Sequence, residues 1–184
     1  LRDWQKIIIS SDKDFYQLCD DKTIIYRPTQ KEVLNKYSVV EQFGIHPNNF
    51  ALARAIVGDP SDNLPGVPRV GLETVAKRFP FLREEKCSFL SDVISECEKP
   101  ENKQKVFSNI IEGQELVEFN YQIMQLYTPA LSIDAKKHMR EVVNDFEFEW
   151  SKTSVITMMA KDGFGESNFT DLYAHFNKMC LDNL

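Results

Sequence analysis

The sequence predicts an α/β fold that gives way to a mainly helical region, and three observations predict it. Two short β-branched runs stand near the start, at 6–10 and 23–26. From Thr29 onward, apolar residues recur at helical spacing in stretches punctuated by Pro and Gly. Aspartates gather at two places, Asp12 and Asp14 at the end of the first run, and Asp59 and Asp62 ahead of a glycine-containing turn.

The first run, Lys6-Ile7-Ile8-Ile9-Ser10, reads as a strand buried on both faces, as in a parallel sheet. Its carboxyl end delivers Ser11-Asp12-Lys13-Asp14, where sites of open α/β sheets are assembled. Asp14 followed three later by Gln17 also suits a helix cap, and both roles stay open. Thr23-Ile24-Ile25-Tyr26 is a second strand, ended by Arg27-Pro28. Helical spacing covers 31–43, with Gly44 as its stop, and a further helix starts at Pro47 and runs into Gly58. His46 is expected to be exposed ahead of that proline.

Asp59 and Asp62 lie three apart, so one turn of helix sets both carboxylates on the same side, a metal-ligand spacing. Asp-Pro-Ser-Asp is equally a helix start. Pro65-Gly66 and Gly71 then punctuate a tight connection into Leu72, Val75, Ala76 and Phe79, before Pro80. Such a turn aims unpaired backbone N–H groups at an anion. Beyond it, amphipathic stretches at 83–98, 101–112, 134–143 and 152–161 read as helical scaffold, with an extended segment at Phe146, Phe148 and Trp150. Phe169, Leu172, Tyr173, Phe176 and Met179 make a core stripe on a final helix.

Bulk properties narrow the function classes. With 22 Lys and Arg against 28 Asp and Glu, the net charge of −6 argues against non-specific coating of nucleic acid. It leaves room for a nuclease, because carboxylates that hold divalent cations count as negative while the bound ions reverse the local sign. Cys19, Cys87, Cys97 and Cys180 form no C-x-x-C pair and read as free, buried thiols in a reducing compartment. No run is long enough to cross a bilayer and no signal peptide opens the chain, so a cytoplasmic location without membrane contact is expected. A chain opening on Leu1 is expected to be a piece of a longer protein.

Taken together, Ser11-Asp12-Lys13-Asp14-Phe15-Tyr16-Gln17-Leu18 and Gly58-Asp59-Pro60-Ser61-Asp62-Asn63-Leu64-Pro65-Gly66-Val67 resemble the 5′-nuclease family of flap endonucleases and polymerase-associated 5′→3′ exonucleases. The resemblance covers roughly residues 7–79; Asn120-Tyr121-Gln122-Ile123-Met124-Gln125-Leu126 and the tail are similar to phage T4-type ribonuclease H, a member that removes RNA primers and flaps. It implies the C-terminal part of a PIN-like nuclease domain, with residues 1–28 as the end of the α/β metal-binding domain. Residues 29–184 would form a helical region with a helix-hairpin-helix, or helix-3-turn-helix, at 58–80. Asp12, Asp14, Asp59 and Asp62 would serve catalysis by holding Mg²⁺ or Mn²⁺, two ions per complete site, for phosphodiester hydrolysis. Gly66, Val67, Arg69, Gly71, Thr74 and Lys77 would contact DNA, with K⁺ at the hairpin. Arg69 departs from the family pattern where glycine is common, and Glu73 where lysine is common.

The implied substrates are DNA or RNA–DNA with a 5′ end or flap, and the implied partners a replication clamp or single-strand-binding protein, in the host cytoplasm if the chain is phage-encoded. The family's other carboxylates and its basic arch lie upstream of the matched motifs, so the chain alone is expected to be inactive. Two alternatives remain: a non-catalytic helix-hairpin-helix DNA-binding module, and a phosphotransferase using Asp12 as nucleophile.

Overall fold

The computed structural model describes residues 4–128, 131–145, 151–164 and 168–181. They fall into two compact units, Leu1–Ala130 and Leu131–Leu184.

The first unit begins with a three-stranded sheet in the order β1-β2-β3. β1 (Lys6–Ile9) runs parallel to β2 (Thr23–Arg27), and β2 is antiparallel to β3 (Glu32–Leu34). The expectation that the isoleucine run is buried on both faces is corrected here. Among the described residues β1 pairs only with β2, and Ile7 and Ile9 are 59% and 70% exposed, while Ile8 packs inward. An all-apolar run reports buried neighbours only where neighbours exist on both sides.

The helical spacing over 31–43 resolves into two elements. Leu34 pairs opposite Ile25 in the sheet and is buried, which fixes β3. Asn35 then caps α1 (Lys36–Phe43), its side-chain oxygen accepting from the N–H groups of Tyr37 and Ser38 at 2.9 Å each. Gly44 ends α1 at φ 69°, as its place after the last periodic residue predicts.

α2 (Pro47–Val57) is the central element, buried from Phe50 through Ile56. A helix buried on nearly every side belongs inside a fold. It packs against α6 (Gln114–Met124), α3 (Leu72–Arg78) and a 3₁₀ turn at Lys13–Leu18. Tyr16 of that turn meets Phe43 and Phe50 with ring centroids 5.4 Å away, pinning the turn to the helix that follows in sequence far downstream. His46, expected to be exposed, is instead buried, its Nδ1 accepting from the Asn48 N–H at the start of α2. The cap and the apolar surroundings together account for its position, and burial pushes its pKa down. α4 (Leu90–Cys97) and α5 (Lys105–Glu112) close the unit. Cys19 and Cys97 are buried as expected, but Cys87 is exposed, in the stretch between the 3₁₀ turn at Pro80–Arg83 and α4.

In the second unit, α7 (Ile133–Asp145), α8 (Lys152–Lys161) and α9 (Phe169–Leu181) follow the predicted boundaries closely. Ser151 caps α8, its Oγ accepting from the Ser154 N–H. Tyr173 is buried, with the Lys152 ammonium 4.6 Å from its ring centroid. The extended segment anticipated at Phe146, Phe148 and Trp150 lies outside the described residues, as does the side chain of Met179. No described helix is long and apolar enough to cross a membrane.

Candidate metal centre

The sheet end and the end of α2 bring distant aspartates together. Asp12 precedes the 3₁₀ turn, and its Oδ1 accepts from the Asp14 N–H at 2.9 Å. The cap is thus Asp12 rather than Asp14. Gln17, anticipated as the reciprocal partner of a capping box, is buried and does something else. Its Nε2 donates to the carbonyls of Asp14 (2.8 Å) and Met124 (2.9 Å), while its Oε1 accepts from the Leu126 N–H. One buried amide therefore ties the Asp14 turn to the end of α6.

At the other side, α2 stops at Gly58, and Asp59 and Leu64 exchange backbone hydrogen bonds of 2.8 and 2.9 Å. Pro60–Asp62 within that closure is a single 3₁₀ turn, and Asn63 leaves it in the left-handed region at φ 57°. Three residues per turn eclipse positions i and i+3, which is how Asp59 and Asp62 come to share one side. Two glycines make the closure possible. A Cβ on Gly66 would lie 1.8 Å from the Val57 carbonyl oxygen, and one on Gly58 would lie 2.3 Å from the Gly66 nitrogen.

The outcome is a cluster in which Asp14, Asp59 and Asp62 each offer a carboxylate oxygen, all within 4.8 Å of one another. Asp12 is not in that group, but it lines the same hollow of about 280 Å³ with Asp14, Asp62, Leu64, Ile123 and Met124. Arg54 reaches into the cluster from α2. Its Nε donates to Asp14 Oδ1 at 3.1 Å, its Nη2 to Asp59 Oδ2, and its Nη1 to the Gly58 carbonyl at 3.3 Å. Asp59 Oδ1 accepts from both the N–H (2.9 Å) and the Oγ (2.5 Å) of Ser61.

Electrostatics separate the two paired aspartates. Burial pushes the Asp14 pKa up despite the guanidinium beside it, whereas the Ser61 hydroxyl, helped by the Ser61 N–H and Arg54, holds Asp59 below the usual carboxylate range. An all-oxygen donor set of this kind suits a hard divalent cation such as Mg²⁺ or Mn²⁺.

The hairpin follows directly. Val67 is buried and its N–H donates to the Ile56 carbonyl at 2.8 Å, so Val67 and the close-packed Gly66 anchor the turn against α2. Arg69 takes φ 63°, the backbone conformation that glycine adopts more freely. Arg69, Gly71 and Lys77 are exposed and Thr74 is partly so. Asn120 of α6, fully buried, donates to the carbonyls of Ala55 (3.0 Å) and Pro65 (2.8 Å), joining α2 to the hairpin.

A 5′-3′ exonuclease of Buchnera aphidicola is 39% identical over 70 residues, covering 38% of this chain and 24% of the relative. One from Aquifex aeolicus is 31% identical over 121 residues, covering 66% of the chain and 38% of the relative. Among solved structures, a flap endonuclease of bacteriophage T5, in a pseudo-enzyme–product complex with DNA and metal ions, is 23% identical with a TM-score of 0.62. The match covers 75% of this chain and 52% of that one.

The chain is homologous to the 5′-nucleases. Another 5′-nuclease structure, T5 5′-exonuclease with divalent zinc ions bound, has the same fold, with a TM-score of 0.61 and 23% identity over 75% of this chain and 52% of that one. No family model matches. The chain spans well under half the length of these curated 5′-nuclease relatives.

Arg54, Gln17 and Asn120 are the site-building residues that sequence reasoning missed. The first left a legible trace: a single cation inside Phe50-Ala51-Leu52-Ala53-Arg54-Ala55-Ile56-Val57 needs a carboxylate partner.

Proposed function

We propose that this chain is the metal-binding and duplex-gripping part of a structure-specific 5′-nuclease, one that hydrolyses phosphodiesters at 5′ ends and flaps of DNA or RNA–DNA. The observation that carries the proposal is the convergence of Asp14, Asp59 and Asp62 within 4.8 Å in a chain with the 5′-nuclease fold. Divalent cations held by these aspartates, with Asp12 at the rim of the hollow, would supply water activation and charge neutralisation at the scissile phosphate. The chain's own residues do the positioning. Asp12 fixes the backbone of Asp14, Ser61 holds one oxygen of Asp59, and the 3₁₀ turn sets Asp62 beside it.

Arg69 and Lys77, with Gly71 and Thr74, form the exposed face of the hairpin and would contact the phosphate backbone, while Gly66 and Val67 shape the turn. Backbone contacts position a duplex without reading its sequence. Residues 1–28 contribute Asp12 and Asp14, and the helical region after them contributes Asp59, Asp62 and the hairpin. Among the described residues one edge of β1 is unpaired, with Ile7 and Ile9 exposed, which suits a further strand beside it. A replication clamp or single-strand-binding protein belongs to the same proposal as a partner of that enzyme.

The test is fluorescence anisotropy with a 5′-flap DNA, in EDTA and in a non-catalytic divalent ion such as Ca²⁺. Tighter binding with the ion, abolished by Asp59→Asn with Asp62→Asn, is expected. Equal affinity for flap and single-stranded DNA, without any effect of the ion, would refute the proposal. Cleavage by this chain alone is expected to be weak or absent; strong Mg²⁺-dependent flap cleavage, lost on Asp59→Asn, would contradict that expectation.

A further inference from the structure

We infer that Arg54 is a positioning residue of the metal centre, whose guanidinium bridges Asp14 and Asp59 and stays in place when a divalent cation binds; the inference rests on the metal-binding role proposed above. Arg54 is only 8% exposed, and among the described residues no other Lys or Arg is so deeply buried. A cation at that depth destabilises a fold unless its charge and its hydrogen bonds are both met. Here they are met by two carboxylates of the cluster and the backbone carbonyl beside one of them. Nε holds Asp14 Oδ1, Nη2 holds Asp59 Oδ2, and Nη1 holds the Gly58 carbonyl next to Asp59.

Each carboxylate gives Arg54 one oxygen rather than two. A guanidinium can span two acceptors at fixed spacing because its N–H groups lie in one rigid plane. Asp14 arrives from the 3₁₀ turn after β1 and Asp59 from the end of α2, so this fork is the direct side-chain link between two separately built parts of the site. It also sets the charge. Three clustered carboxylates, the Asp12 carboxylate at the rim and one guanidinium leave a net negative charge that draws a divalent cation.

Lysine separates geometry from charge, since it keeps the charge and loses the fork. The experiment titrates the full chain with Mn²⁺, followed by electron paramagnetic resonance, for wild type and Arg54→Lys. About a ten-fold or greater rise in Kd is expected for Arg54→Lys, together with a broadened, heterogeneous signal from bound Mn²⁺. A Kd within about two-fold of wild type would show that charge alone suffices and would overturn the inference. Wild type needs no substitution for the second measurement, NMR of the Arg54 Nε–H with and without Mg²⁺. A resonance that stays protected in Mg²⁺ supports the inference, and one that is lost to solvent exchange shows displacement by the ion and overturns it. Failure of wild type to bind Mn²⁺ would remove the metal-binding role itself, an outcome distinct from equal binding by the two proteins.

Discussion

Replacing Asn120 by alanine tests how α6 holds the site together. The Asn120 amide donates to the Ala55 carbonyl at 3.0 Å and the Pro65 carbonyl at 2.8 Å, and the residue is fully buried. The Ala55 carbonyl lies in the buried interior and would lose its amide donor outright, at a cost of about 1–3 kcal/mol. The Pro65 carbonyl is only partly buried and can turn to water, so its loss costs less, about 0.5–1.5 kcal/mol. Against this, the Asn120 Oδ1 is itself buried without a hydrogen-bond partner, and deleting it returns part of the cost. The net destabilisation is about 2–3 kcal/mol, read as a lower urea midpoint at unchanged slope by far-UV circular dichroism. Asn120→Asp should be worse than alanine, because it sets carboxylate oxygens against two carbonyls. A loss below about 0.5 kcal/mol for Asn120→Ala would refute the clamp.

Arg69→Gly should stabilise the chain by about 1 kcal/mol, because glycine adopts φ 63° without steric cost, and should weaken flap binding; urea melts and anisotropy check the two effects separately. Thiol labelling followed by peptide mass spectrometry should modify exposed Cys87 well before Cys19 and Cys97, whose pKa values burial pushes up to about 11. Asp59 has a folded pKa below its ordinary value of 3.8, so its contribution to stability is present above that value and is lost as pH falls through the depressed one. Asp14 is shifted the other way, so protons compete with a cation there first. Mn²⁺ affinity should therefore fall as pH is lowered toward 4 from above, beginning before an unperturbed aspartate near 3.8 would titrate.

Local chemistry was legible wherever it was decided locally. Gly44 and Pro47 mark helix ends in the sequence, and they do so in the structure. The i,i+3 spacing of Asp59 and Asp62 was equally plain, although the turn that realises it is 3₁₀ rather than α. What the sequence hid depended on partners far along the chain. Ile7 and Ile9 looked like core because nothing local reveals that β1 has, among the described residues, a neighbour on one side only. β3 was absorbed into a helical pattern because the pairing of Leu34 with Ile25 is a tertiary fact. Gln17 and Asn120 are ordinary polar letters until α6 folds back over α2, which gives Gln17 the Met124 carbonyl beside that of Asp14 and Asn120 the carbonyls of Ala55 and Pro65.

The most direct test of the metal centre is the stoichiometry of Mn²⁺ on the 184-residue chain, measured by electron paramagnetic resonance of free Mn²⁺ for wild type, Asp14→Asn and Asp62→Asn. Clustering of Asp14, Asp59 and Asp62 predicts binding by wild type that either substitution weakens by about ten-fold or more. Binding unchanged by both substitutions, or no binding by wild type, would contradict it.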